Sequence, residues 1–112
     1  MVDHETRMAK VTIYGNEREY DRGGVEAAII YGLAESARNG NGRVESVREL
    51  RFEVINAGPG EFGNYFTPYG QTLIVRSVCR ELVRRGVIRP CYTSGRLRPE
   101  VQGYYLVGEG TE

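Results

Sequence analysis

The chain has no tryptophan, one histidine, one lysine and two cysteines in its 112 residues, and each shortage removes a class of function. General acid–base catalysis most often recruits histidine, and the single one, His4, stands near the start of the sequence with no partner in view. Ser77 and Cys79 have no neighbouring base to activate them, and two cysteines with one remote histidine do not make a zinc site. Glu35, Glu49, Glu53 and Glu61 remain as carboxylates that fit solvated helix surfaces. No enzymatic activity, metal or cofactor is therefore expected. No apolar run approaches the ~18 residues of a membrane span, and the opening MVDHETRMAK is not hydrophobic, so neither a membrane anchor nor a secretion signal is expected. A cytoplasmic location follows, with Cys79 and Cys91 as buried reduced thiols, although spacing alone leaves a disulfide between them open.

Net charge is missing too. With 15 basic and 15 acidic residues the whole chain is neutral, so its isoelectric point gives no argument for a polyanionic partner. What is present is an uneven distribution. Residues 1–66 hold 8 basic and 11 acidic groups, residues 67–98 hold 7 and 1, and residues 99–112 hold none and 3. One segment is strongly basic inside a protein that did not need it to be. Arginine makes up 14 of the 15 basic residues, a forked donor suited to phosphates and guanine edges.

The centre of that segment is GQTLIVRSVCRELVRRGVI, residues 70–88. Thr67 before Pro68 is a helix start, because the hydroxyl accepts from an unpaired amide and proline gives up a donor that had no partner. Gly86 is the matching stop. Ile74, Val75, Val78, Cys79, Leu82 and Val83 fall within about half the circumference and predict a buried face. Arg76, Arg80 and Arg84 cluster opposite, within about 80° of arc, with only Glu81 nearby. Solvation of a helix surface is one reading of them, and a polyanion is the other.

Elsewhere, residues 10–14 (KVTIY) predict a short strand, and residues 24–38 a helix with Val25, Ala28, Ile29, Leu33 and Ala37 at helical spacing, closed by Asn39-Gly40. Residues 42–45 read as extended. Ser46 and Glu49 form a capping box that predicts a helix over 46–55, with strand-like alternation of Leu50, Phe52 and Val54 as the competitor. Residues 56–70, NAGPGEFGNYFTPYG, predict a loop. Its GPGEFG matches no phosphate-loop motif. Strands are predicted over 87–92 and 104–107, joined by TSGRLRPEVQG, whose tip carries Arg96 and Arg98.

That order of elements, with ELVRRGVIRP feeding a hairpin, resembles the winged-helix variety of the helix-turn-helix superfamily over residues 24–108. The resemblance implies a single α+β domain: a 1–23 arm or strand, three helices and a C-terminal β-hairpin. It departs from the family in its turn of about fifteen residues before the third helix, where three or four are usual. By the same resemblance the helix 68–85 would take the recognition position and 95–98 the wing tip. The function expected is sequence-specific binding of double-stranded DNA, as in a transcriptional regulator. Tyr69, Gln71, Thr72, Arg76 and Arg80 would approach the major groove, while Arg84, Arg96 and Arg98 hold phosphates or the minor groove. Dimerisation would match two half-sites, with KVTIY as an arm pairing across the dimer. The alternative is an interaction module, an adaptor or inhibitor of viral origin, that docks its arginine face on an acidic protein surface.

Overall fold

A computed structural model of the protein describes residues 7–39, 44–95 and 97–107. The chain begins with an antiparallel hairpin, β1 (Met8–Ile13) and β2 (Asn16–Asp21), in register from Met8↔Asp21 to Ile13↔Asn16. Ala9, Val11 and Ile13 alternate inward and pack on the core. Sequence reading predicted only the first of these strands. The sequence of β2, NEREYD, exposes its first four residues and buries only Tyr20 fully, so its strand character comes from pairing and not from an apolar alternation. KVTIY thus finds its partner in the same chain. Arg7 fastens the end of the hairpin, donating from Nε and Nη2 to both carboxylate oxygens of Asp21 at 2.9 Å.

Asp21 also caps α1 (Arg22–Arg38), accepting from the Gly24 amide at 3.0 Å, which starts the helix two residues earlier than the apolar spacing suggested. Gly40 and Gly42, assigned to the helix stop and to the extended stretch, lie outside the described residues. The capping box forms as predicted at the start of α2 (Val47–Ala57): the Glu49 amide donates to Ser46 Oγ and the Ser46 amide to Glu49 Oε1. Helix therefore prevails over strand, burying Leu50 and Val54 and leaving Phe52 exposed.

The predicted loop 56–70 is corrected. It contains a further helix, α3 (Gly60–Tyr65), which begins after Pro59 and buries Phe62, so the described residues form four helices and not three. Breaker residues hide it because its stability is tertiary: Phe62 and Phe66 enter the core, and the Gln71 side-chain amide donates to the Phe62 and Phe66 carbonyls at 3.2 and 2.9 Å. The fourth helix, α4 (Pro68–Arg84), has the expected ends. Thr67 Oγ1 accepts from the Gly70 amide, and Gly86 takes the left-handed conformation, φ 79°, just past the cap.

After α4, β3 (Ile88–Tyr92) pairs antiparallel with β4 (Val101–Leu106), with a register shift between Cys91 and Tyr92. β4 begins three residues before the predicted 104. Pro90 lacks an amide donor and suits an edge strand, while β4 takes a further partner on its other side, where Glu45 and Tyr104 exchange both backbone hydrogen bonds. The extended residue before α2 is thereby tied to the C-terminal hairpin. One core cluster joins Val25, Ile29 and Leu33 of α1, Leu50 and Val54 of α2, Phe62, the inner face of α4, Ile88 and Tyr104. Ile74, Val78 and Leu82 are buried in it with Ile29 and Leu33, as their spacing predicted.

Candidate functional site

The two sides of α4 are chemically separate. Gln71, Ile74, Val75, Val78, Cys79 and Leu82 are buried. Tyr69, Thr72, Arg76 and Arg80 lie within about 100° of arc on the outer side, along about 16 Å of helix. Arg76 and Arg80 are exposed. They form one wall of an open cleft of about 520 Å³, whose other walls are Ser46, Val47 and Arg48 at the start of α2 and Glu100, Val101, Gln102 and Tyr104 of the C-terminal hairpin. Arg48, Arg76 and Arg80 form no ion pair with a carboxylate of the described residues. Three guanidinium groups therefore converge on one cleft, one of them in the first turn of a helix, where the macrodipole already contributes positive potential. Glu100 is the one carboxylate among the described residues that line it.

The remaining arginines are sorted by their partners. Arg84 is tied to Glu81 at 2.6 Å, and Arg85 to Glu26 at 2.8 Å and to Glu81 at 3.7 Å. The hydrogen bond from Arg84 holds the Glu81 carboxyl below its ordinary range. Arg98 is exposed in the connection between β3 and β4 and does not line the cleft. Arg96, assigned to the wing tip, lies outside the described residues.

Gln71 is the clear departure from the expected site. It is 4% exposed and turned inward, where it binds the α3 segment and accepts from Arg51 Nη1 at 2.6 Å. Its place in the first turn, next to Tyr69 and Thr72, predicted an outward side chain, but it sits about 200° around the helix from Tyr69, on the core side. Thr72 is half-buried and its hydroxyl donates back to the Pro68 carbonyl at 3.0 Å. Tyr69 is half exposed and stacks on Tyr14 of the β1–β2 turn, ring centroids 5.3 Å apart.

Sequence reading missed Arg48, Gln102 and Tyr104. Arg48 was visible inside the capping box, but 28 positions separate it from Arg76 and only the packing of α2 on α4 brings them to one cleft. Tyr104 forms the floor: burial raises its hydroxyl pKa, while Arg80 and Arg76 act in the opposite sense from close by. Cys79, beneath Arg80, has its thiol pushed up to about 12 by burial and is inert as a nucleophile at neutral pH. Cys91 is likewise a free thiol, so the two do not pair. Among the described residues no group of three or more histidine, cysteine or carboxylate side chains is placed to hold a metal, and no helix is long and apolar enough to cross a membrane. Comparison with protein-family models, with curated proteins and with solved structures gave no match to the chain.

Proposed function

We propose that the protein binds double-stranded DNA in a sequence-specific manner, as a transcriptional regulator built like a winged helix. In this reading α4 is the recognition helix and the β3–β4 hairpin is the wing. The element order α1, Glu45 bridge, α2, α4, β3, β4 supports it, with α3 inserted where a short turn would otherwise stand. The observation that carries the proposal is the convergence of Arg48, Arg76 and Arg80, none paired with a carboxylate of the described residues, on a cleft between helix and hairpin. Such an arrangement costs self-repulsion and is relieved by a polyanion. Arg76 and Arg80, with Tyr69 and Thr72, lie on the face that would meet base edges, while Arg48 and Arg98 would hold phosphates. Gln71 serves the fold instead, and Arg84 reaches a phosphate only by leaving Glu81.

The test is retention of mixed genomic duplex fragments at low salt. The wild-type protein should retain a subset of fragments. Arg76→Gln with Arg80→Gln should abolish retention while leaving the melting temperature nearly unchanged, because exposed arginines add little to folding. If the wild-type protein retains no fragment, the DNA reading fails and the same arginines are better explained by an acidic protein partner.

A further inference from the structure

Tyr14 occupies a position that the local backbone conformation alone would not give to a tyrosine. It is the first residue of the two-residue turn between β1 and β2, with φ 51°, followed by Gly15 with φ 81°. Asparagine or glycine fills such a turn without strain, whereas a bulky side chain at positive φ is unfavourable. Burial does not explain it either, since Tyr14 is 80% exposed. Its ring stacks at 28° on Tyr69, the first member of the outer stripe of α4.

The hairpin that carries Tyr14 lies along one flank of that stripe. Ile13 packs so closely on α4 that a Cβ at Gly70 would meet its Cδ1 at 2.8 Å, and Ser77 stands near enough to Tyr20 to lower the pKa of its hydroxyl against the effect of burial. Gly70 and Ser77 stand about 80–100° around the helix from Tyr69 on one side, and Cys79, which faces Tyr104, stands about 80° away on the other. The exposed face of α4 is therefore bordered by two hairpins, with Tyr14 at one end and the arginine cleft at the other.

We propose that Tyr14 contacts the same duplex as the arginine cleft, so that the β1–β2 hairpin acts as a second wing. Its hydroxyl donates to a backbone phosphate and its ring packs on the adjoining sugar. The phosphate lies on the strand opposite the one whose phosphates Arg48 holds, with Arg76 and Arg80 in the groove between them. The dimensions agree: about 16 Å of helix separates Tyr69 from Arg80, enough to span a major groove about 12 Å wide. Lys10 and Arg18 balance Glu17 and Glu19 on this hairpin and Arg7 pairs with Asp21 at its end, so it adds contact and orientation with little added electrostatic pull. The inference rests on the DNA-binding reading above, and the experiment separates the two.

The variant is Tyr14→Asn, which suits the turn, measured against the genomic duplex fragment that the wild-type protein retains best, with the Arg76→Gln, Arg80→Gln double variant alongside. Tyr14→Asn should weaken affinity about tenfold, the loss of one phosphate hydrogen bond with its packing. The slope of log affinity against log salt should stay at the wild-type value, and the melting temperature should be equal or higher. Affinity within twofold of wild type, while the double variant binds nothing, would overturn the second wing and leave the DNA reading standing. A lowered melting temperature or a shallower salt slope in Tyr14→Asn would overturn direct contact, because Tyr14 would then act through the fold or through displaced basic groups. Failure of the wild-type protein to retain any fragment would overturn both.

Discussion

Gln71 and Cys79 show how far a single side chain's role depends on what surrounds it. Gln71 satisfies the Phe62 and Phe66 carbonyls and the Arg51 guanidinium from a buried position. Gln71→Ala leaves those groups without their partner and should cost about 1–3 kcal/mol in a urea titration, with no change in which duplex is preferred. A base-contacting glutamine would give the opposite result. Cys79 makes a prediction in pH. Its thiol is neutral in the fold up to about 12, against an ordinary value of 9.0. Above pH 9 the unfolded chain releases this proton and the folded one keeps it, so stability declines from pH 9.0 towards about 12. The decline should approach 1.4 kcal/mol per pH unit from this group, with Tyr20 and Tyr104 acting in the same direction. Cys79→Ala should make the loss shallower in alkaline urea titrations, below the level set by its own cavity cost at neutral pH.

At the scale of elements, capping is the most legible signal and the Gly- and Pro-rich stretch the least. The Ser46–Glu49 box and the Thr67 cap are contained within four residues each, so local chemistry places both helix starts. Ser46→Ala should cost about 1 kcal/mol in thermal unfolding and also weaken duplex binding, because it frays the turn that positions Arg48. The inner face of α4 is as legible. Leu82 is fully buried, and Leu82→Ala should cost about 2–5 kcal/mol, measured by denaturant titration; a loss under about 1 kcal/mol would mean that this face is not packed as described. α3 and β2 are different. Neither has a periodic apolar pattern, and each is held by groups far away in sequence, α3 by Gln71 and the core around Phe62, β2 by its ladder to β1.

The whole molecule combines neutrality overall with a local cationic surface. Ion pairing removes Arg84 and Arg85 from the basic segment, and folding adds Arg48 from outside it, so the surface charge map differs from the linear one. With Arg48 and Arg98 on phosphates and Arg76 and Arg80 bringing two further charges into the groove, about four counterions are released, so log affinity for duplex should fall against log salt with a slope of roughly −4, and each arginine replaced by glutamine should reduce it by about one. Filter binding across a salt series measures this directly. A slope near zero in a protein that still binds would mean that the cleft is not the contact.

Sequence alone was sufficient for what depends on neighbours within a few residues: the helix caps, the buried face of α4, the hairpin after it, and the concentration of arginine between 67 and 98. Those features follow from side-chain hydrogen bonds to adjacent amides and from the 3.6-residue period, both of which are local. Tertiary structure alone decided which arginines are paired with carboxylates of the described residues, because ion pairs such as Arg85 with Glu26 join residues 59 positions apart. It also turned Gln71 inward, found α3 in a glycine-rich segment, and set a second hairpin beside α4. Each of these is fixed by packing and by hydrogen bonds between distant segments, whose geometry no local pattern encodes.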